Sequence, residues 1–252
     1  MQMPRVLPMI RRLRAGLGLV AVLLFALLWL ALPIHPKRQR YIARTGWKML
    51  LAAFGIEVRV IGRPQRESLL VANHLSWADI PALALVAEAP FVAKAEVRKW
   101  PLIGRLAQKW GCVFIERERR HNAKQQAEAA QRQLKDGDGL ILFPEGTTGM
   151  GWEVQPFRSS LFVAPPGDRP LQVQPVALRY CNRDGSPHQA EQRRRVAWLD
   201  DDRLLPHAFG LAASGGARLE LIFTEPLSAN CRKQLAVSSS AAISALLAAT
   251  SC

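Results

Sequence analysis

One stretch of the sequence decides the fold class, and it reads Ser68-Leu-Leu-Val-Ala-Asn-His-Leu-Ser-Trp-Ala-Asp-Ile-Pro81. The apolar run at residues 69–72 is short enough for a buried strand, and Pro81 suits the first turn of a helix that follows. The polar residues between them therefore lie at the end of a strand, where α/β folds usually bind their ligands. The stretch predicts a strand, a loop with a candidate site, and a helix.

His74 and Asp79 are the candidates for chemistry in this loop. An Asp near the start of the helix can fold back toward the imidazole, accept the hydrogen on Nδ1 and leave Nε2 available as a base. The alternative is an Asp that caps the helix beside a surface His without a catalytic role. The spacing of the two residues does not separate these readings.

Short apolar runs alternate with longer mixed segments from about residue 57 onward, which is typical of an α/β domain. Strands are predicted at residues 57–61, 68–72, 90–93, 112–115, 140–143, 171–179 and 218–223. Helices are predicted at residues 80–87, 102–110, 122–135, 159–163 and 229–249, and long surface loops at 182–216. The interleaving predicts a mixed central sheet flanked by helices.

Residues 1–55 form a separate part, predicted as a basic N-terminus, a hydrophobic anchor helix and an interfacial helix. Residues 15–34 carry no charge, and twenty helical residues span about 30 Å, the thickness of the hydrocarbon in a bilayer. A cleaved signal peptide is the alternative, although the apolar run is longer than usual and no small-x-small cleavage site follows. Basic residues flank both ends, so the segment either spans the membrane or dips into one leaflet.

Residues 56–252 are predicted to form the remaining domain, and the composition of the whole chain restricts the class of protein and its partners. With 34 Lys+Arg against 20 Asp+Glu, the net charge of +14 attracts polyanions. The uncharged N-terminal segment and the absence of a recognition motif favour lipid headgroups over nucleic acid. A hydrophobic share of 49% excludes a disordered chain. Four separated cysteines suggest neither a disulfide framework nor a zinc ribbon, and they favour a reducing compartment.

Two further polar segments follow apolar runs as the His74 loop does. Pro144-Glu145-Gly146-Thr147-Thr148 follows residues 140–143, and its carboxylate could hydrogen-bond substrate hydroxyls while Gly146 lets backbone amides approach a ligand. Arg117 follows residues 112–115, and a guanidinium suits bidentate contact with phosphate. Taken alone, each also fits a simpler reading, as a solvated turn or as an exposed charge.

Taken together and in order, these segments resemble the glycerolipid acyltransferase family, which includes bacterial 1-acylglycerol-3-phosphate acyltransferases. The resemblance covers roughly residues 57–180 and rests on four blocks: N-H-x-x-x-x-D at 73–79, G-x-x-F-I-x-R at 111–117, F-P-E-G-T at 143–147 and a Pro-containing apolar strand at 173–177. It implies the glycerolipid acyltransferase fold and an O-acyltransferase of phospholipid biosynthesis. Such an enzyme moves a fatty acyl group from acyl-CoA or acyl carrier protein to the hydroxyl of a lysolipid, here 1-acyl-sn-glycerol-3-phosphate, to give phosphatidic acid.

The resemblance also implies roles for individual residues. His74 would take the proton of the acceptor hydroxyl as it attacks the thioester, and Asp79 would orient the imidazole. The implied substrate contacts are Glu145 and Gly146 to the glycerol portion, Arg117 to the acceptor phosphate, and Thr147. Possible further site residues are Asn73 and Lys94, the second of which is explained equally well as a surface lysine. No metal is expected, and the acyl donor is a co-substrate, with no cofactor besides.

The sequence departs from the commonest family pattern at Thr148, where an Arg or Ser often follows the F-P-E-G-T block. If that Arg helps to hold phosphate in relatives, its absence leaves the acceptor open. Lyso-ornithine lipid O-acyltransferases are similar in these blocks and act on an acceptor with an amino acid instead of a phosphate, so they are the nearest alternative. A membrane lipid-binding protein without turnover is a second alternative. Free cysteines and a thioester donor favour an active site on the cytoplasmic face of a membrane, which in a bacterium is the inner membrane.

Overall fold

The fold is given by a computed structural model, which describes residues 6–33, 35–115, 134, 139–162, 171–199 and 201–249. The helices are α1 (Val6–Ala31), α2 (Pro36–Ala53), α3 (Asp79–Ala87), α4 (Ile103–Trp110), α5 (Ala190–Val196), α6 (Leu204–Ser214) and α7 (Arg232–Ala249). Short 3₁₀ helices lie at Ala95–Lys99 and Ser159–Leu161. The strands are β1 (Ile56–Ile61), β2 (Leu69–Ala72), β3 (Val92–Lys94), β4 (Val113–Ile115), β5 (Leu140–Leu142), β6 (Leu171–Cys181), β7 (Ala217–Phe223) and β8 (Leu227–Ala229).

The strands form a mixed sheet, as the sequence predicts. Its order is β1-β7-β6-β2-β5, with β8 paired to β6. Strand β2 runs parallel to both β5 and β6, whereas β6 and β7 are antiparallel. Strands β3 and β4 form a parallel pair, and a parallel bridge between Phe91 and Ile141 joins this pair to β5. The carboxyl ends of β2, β5, β3 and β4 therefore meet at one edge, which carries the polar loops.

Strand β2 is buried on both faces, because helices cover each side of the sheet. Leu70 packs in the cluster that contains α3 and the end of α2, whereas Leu69 packs in the cluster that contains Leu235 of α7. The alternation follows from the period of two residues in a strand. Two covered faces explain the continuous apolar run of β2, which is typical of parallel strands.

The N-terminal helix α1 is long and apolar, and an 18-residue window of it has a mean hydropathy of 2.3. By length and composition it could cross a membrane, and this agrees with the predicted anchor helix. The helix also packs beside α2, α6 and α4. Gly18 lies so close to α2 that a Cβ there would stand 2.5 Å from the Cβ of Ala53, and Trp29 donates a hydrogen bond of 3.1 Å to the carbonyl oxygen of Gln39.

The prediction of long loops over residues 182–216 is wrong, because the segment contains α5 and α6. Pro206 and Gly215 obscure α6 in the sequence, yet Pro206 lies in the first turn and Gly215 comes directly after the last residue, where each is tolerated. The predicted helix at 229–249 begins only at Arg232, because β8 pairs with β6 first. The helix predicted at 122–135 lies almost entirely outside the described residues.

Candidate active site

The imidazole of His74 and the carboxylate of Asp79 lie in direct contact. Nδ1 of His74 stands 2.8 Å from Oδ2 of Asp79. The same oxygen accepts hydrogen bonds from the backbone amides of Leu75, over 2.7 Å, and Ser76, over 2.9 Å. Asp79 is the first residue of α3 and is fully buried. The carboxylate therefore fixes the loop before the helix and lies where it orients the imidazole, and no described side chain caps the first amides of α3.

A residue that the sequence analysis did not identify completes the surroundings of Asp79. The hydroxyl of Tyr180, in β6, donates a hydrogen bond of 2.6 Å to Oδ1 of Asp79. Burial raises the pKa of Tyr180 well above its ordinary value, and the neighbouring Asp79 charge acts in the same direction. The phenol therefore stays protonated and acts as a donor. The feature of the sequence that could have indicated this contact is a tyrosine on a buried strand, because a buried hydroxyl needs a hydrogen-bond partner.

The ring of His74 stacks on Phe143, the first residue of the F-P-E-G-T block. The ring centroids are 4.0 Å apart and the planes are inclined by 12°. The side chain of His74 remains 14% exposed, and within the described part of the chain Nε2 makes no hydrogen bond. Stacking and the Asp79 contact hold one face and one edge of the ring, which leaves Nε2 available for a substrate proton.

Glu145 holds the two loops of the site together. Its Oε2 accepts a hydrogen bond of 3.2 Å from the backbone amide of His74, and its Oε1 accepts one of 3.2 Å from that of Gln155. Burial raises the pKa of Glu145 to about 8, against the lowering effect of these two amides. Glu145 thus positions the backbone of His74, a contact that the expected role in glycerol binding does not include.

The loop after Glu145 folds over the His74 loop. Gly146 has a positive φ of 79° in this turn, and the amide of Gly149 donates a hydrogen bond of 3.0 Å to the carbonyl oxygen of His74. The hydroxyl of Thr148 donates to the carbonyl oxygen of Trp198. Trp198 in turn donates from its backbone amide to the carbonyl oxygen of Leu75, over 2.9 Å. Thr148 therefore tethers the segment after α5 to the loop of the F-P-E-G-T block.

The remaining site residues expected from the sequence do not all lie at the His74–Asp79 pair. The side chain of Asn73 is buried and exchanges two hydrogen bonds, of 2.8 and 3.0 Å, with the backbone of Leu178, so it extends the pairing of β2 with β6. Lys94 is exposed at the end of β3, in register with Ile115 of β4. Arg117 lies outside the described residues. Thr147 lies beside Gly146 and Thr148 in the loop that covers the site.

A cavity of about 420 Å³ lies next to the Asp79 network. Leu75, Leu178 and Tyr180 line it from the side of the sheet. Its other walls come from residues 150–154, from α5 with Arg193, and from the end of α7. The cavity combines apolar walls with two arginines, Arg179 and Arg193, and with Glu153, and it lies beside the loop that carries His74.

Comparison with known proteins shows which family this chain resembles. The model of the Acyltransferase family matches residues 56–178. The lyso-ornithine lipid O-acyltransferase of Rhizobium meliloti is 36% identical over 83% of this chain and 74% of that protein. The protein of the same name from Pseudomonas aeruginosa is 38% identical over 84% of this chain and 81% of its own length.

Proteins described as 1-acyl-sn-glycerol-3-phosphate acyltransferases are also similar. The one from Neisseria gonorrhoeae is 38% identical over 59% of this chain and 58% of its own length. The crystal structure of the 1-acyl-sn-glycerophosphate acyltransferase PlsC from Thermotoga maritima shares the fold, with a TM-score of 0.67 at 21% identity, over 98% of this chain and 97% of that one. Family model, relatives and fold agree, and the chain belongs to the glycerolipid acyltransferase family of O-acyltransferases.

Proposed function

We propose that this protein transfers a fatty acyl group from a thioester, acyl-CoA or acyl carrier protein, to the hydroxyl of a lysolipid, with His74 as the base. The observation that carries the proposal is the contact of 2.8 Å between Nδ1 of His74 and Oδ2 of Asp79. With Nδ1 engaged, Nε2 is the nitrogen that meets the substrate. A hydroxyl is a poor nucleophile at neutral pH and needs such a base.

The reaction balances with these two residues and the substrates. The acceptor oxygen forms a bond to the thioester carbonyl carbon while its proton moves to Nε2 of His74. The negative charge of Asp79 stabilises the resulting imidazolium. Collapse of the tetrahedral intermediate breaks the carbon–sulfur bond, and the imidazolium returns the proton to the departing thiolate. The acyl group passes directly to the lipid, so no covalent enzyme intermediate is needed.

Lyso-ornithine lipid is the acceptor that we place first. Relatives named as lyso-ornithine lipid O-acyltransferases match about four-fifths of this chain, whereas those named as 1-acyl-sn-glycerol-3-phosphate acyltransferases match 59%. Thr148 binds Trp198 and contributes no positive charge beside the F-P-E-G-T loop. The acceptor 1-acyl-sn-glycerol-3-phosphate is the second candidate, and Arg117, two residues beyond the end of β4, favours it.

We further propose that α1 lies in one leaflet and does not cross the bilayer. Arg11 near its start bonds to Ala213 of α6, and Lys109 of α4 donates a hydrogen bond of 2.8 Å to Leu32 just past its end. These contacts lie about 30 Å apart along the helix. A spanning helix would carry α4, with its charged Lys109, into the hydrocarbon. The thioester donors are cytoplasmic, so the active site belongs on the cytoplasmic face of a bacterial inner membrane.

The direct test is an assay of membranes that contain the protein, supplied with labelled acyl-CoA or acyl carrier protein and one lysolipid at a time. Lyso-ornithine lipid and 1-acyl-sn-glycerol-3-phosphate are compared by the mass of the product. We expect a diacylated product with lyso-ornithine lipid at a clearly higher rate. Faster reaction with the phosphate acceptor would reverse the order of the two candidates, and no product with either would contradict the proposal.

A further inference from the structure

A second cavity, of about 330 Å³, lies between α1, the end of α2, the end of β6 and the turn from α6 to β7. Three arginines line it, Arg11 and Arg14 of α1 and Arg183 just after β6. None of the residues that line this cavity is acidic. It contains no part of the His74 site, although its wall residue Phe54 meets the ring of Trp77, in the catalytic loop, edge to face at 5.3 Å.

Backbone carbonyl groups hold the three guanidinium groups in place. Arg11 donates to Ala213 over 3.3 Å, Arg14 donates to Ala52 over 3.1 Å, and Arg183 donates to Gly55 over 3.3 Å. The first two carbonyls lie at the carboxyl ends of α6 and α2, whose dipoles offset only part of a positive charge. A guanidinium has five N–H donors in a fixed fork, so each retains donors for a ligand.

Neither Asp184 nor Gly215, which lie close to the three arginines, neutralises their positive charge. Asp184, the neighbour of Arg183 in the chain, is exposed and accepts hydrogen bonds from the amide and the hydroxyl of Ser186. Gly215 closes the cavity without a side chain, and a Cβ there would stand 3.1 Å from Nη1 of Arg11. The cavity therefore concentrates positive charge with room beside it, which is the chemistry that recognises a phosphate.

The position of the cavity along α1 indicates which phosphate it meets. Met9 and Leu13 lie in the same turns of α1 as Arg11 and Arg14, and their exposed fractions are 63% and 64%. Exposed apolar residues on a long apolar helix face lipid, so the arginines lie where the helix meets the headgroup layer. We propose that the cavity defined by Arg11, Arg14 and Arg183 binds the phosphate of an anionic phospholipid headgroup. The bound lipid fastens α1 to the domain at the membrane surface.

The first test measures thermal unfolding of the full-length protein in a neutral detergent. Three probes are added separately: dihexanoyl phosphatidylglycerol, dihexanoyl phosphatidylcholine and inorganic phosphate. At about tenfold the dissociation constant, the anionic lipid raises the unfolding temperature by about 3–6 °C, and the other two probes leave it unchanged. An equal shift with phosphatidylcholine contradicts the proposal, and an equal shift with inorganic phosphate contradicts the lipid as the source of the phosphate.

Two double variants with matched charge separate the cavity from general attraction to a negative surface. Arg11→Gln with Arg183→Gln removes two arginines from the cavity, while Arg12→Gln with Arg66→Gln removes two exposed ones that do not line it. In flotation with phosphatidylglycerol-containing vesicles, we expect the first variant to lose about tenfold more affinity than the second. The cavity variant also loses the thermal shift, which the control keeps. Equal losses in the two variants would overturn the proposal.

A third variant controls for the structural role of these side chains. Arg183→Lys keeps the charge and lacks the planar fork, so it retains vesicle binding by charge but loses most of the thermal shift with the short-chain lipid. Arg183 lies in the domain, so its replacement leaves the apolar surface of α1 intact. The measurements need no acyl transfer, so they stand whichever acceptor the enzyme uses. An unchanged thermal shift in Arg183→Lys would contradict recognition by the guanidinium.

Discussion

The hydroxyl of Tyr180 donates to Oδ1 of Asp79 across 2.6 Å, although the two residues lie 101 positions apart in the chain. The other carboxylate oxygen faces His74 and two backbone amides of the same loop. Asp79 is thus a buried carboxylate with a donor on each oxygen. The orientation of the imidazole depends on β6, a strand that the His74 loop reaches only through the pairing of β2 with β6.

Tyr180→Phe is expected to lower kcat by about tenfold with little change in KM. The variant keeps the ring but leaves one oxygen of a buried carboxylate without its donor, which costs about 1–3 kcal/mol and loosens Asp79. Steady-state kinetics with one lysolipid measures the effect. The chain has two tyrosines, and the second, Tyr41, is 71% exposed, so Tyr41→Phe is the matched control. An equal kcat in both variants would show that Tyr180 does not position the pair.

His74→Ala and Asp79→Asn are expected to reduce kcat by about 10²–10⁴ while membrane binding is retained. The first variant removes the base, and the second removes the charge that stabilises the imidazolium. Acyl transfer and vesicle flotation are measured on the same preparations. Asp201, which is exposed, gives the control Asp201→Asn with normal activity. Full activity of His74→Ala would refute the proposed chemistry, and loss of vesicle binding would indicate a folding defect instead.

Glu145→Gln is expected to flatten the dependence of stability on pH between about 4.5 and 8. Burial raises the pKa of Glu145 from 4.5 to about 8 in the folded protein. In this window the folded protein keeps a proton that the unfolded chain has released, so the free energy of unfolding falls as pH rises. A neutral amide lacks this contribution.

The measurement is the slope of the free energy of unfolding against pH, in detergent. The slope is used because Glu145→Gln also loses one amide contact, which lowers the free energy of unfolding by about 1 kcal/mol at every pH. Glu153→Gln, at an exposed position in the following loop, is the control and keeps the original slope. Parallel curves for Glu145→Gln and the unchanged protein would mean that Glu145 is ionised throughout.

The sequence predicts those parts of the fold that are determined by residues close together in the chain. Strand β2 is a continuous apolar run because both of its faces are covered, and the polar residues after it come at the strand end where a loop must begin. His74 and Asp79 lie five positions apart on a strand–loop–helix unit, so their contact depends only on local geometry. The seven predicted strands all occur, with ends shifted by at most two residues.

The parts that escape prediction have causes that are distant in the chain. Tyr180 reaches Asp79 only because Asn73 pairs with Leu178 and fixes the register of the two strands. Trp198 reaches Leu75 from a segment that follows α5 and is rich in charged residues, with no pattern that indicates burial. Both contacts require the assembled sheet, and no spacing within a single segment encodes them.

Gly216→Ala is expected to destabilise the protein, because Gly216 packs directly against the backbone of Gly55. Its φ is 78°, and a Cβ would stand 1.9 Å from the carbonyl oxygen of Gly55, a backbone atom that cannot rotate away. Strands β1 and β7 begin directly after these two glycines and pair in parallel. The backbone must therefore move to relieve the clash, and this shifts the start of the pairing. We expect the free energy of unfolding to fall by about 1–3 kcal/mol, as for other overpacked sites.

Gly210→Ala provides the opposite prediction at a second glycine nearby in the chain. Gly210 lies inside α6, and apart from its chain neighbours and the backbone of α6 itself, no atom stands within 4 Å of a Cβ built there. Alanine at this position should stabilise the helix by about 1 kcal/mol, since glycine is the poorer helix former. Unfolding of both variants in the same detergent measures the pair. Destabilisation by Gly216→Ala together with stabilisation by Gly210→Ala would locate the effect in the contact with Gly55, because the added methyl group is the same in both, whereas a loss of stability at both positions would contradict that account.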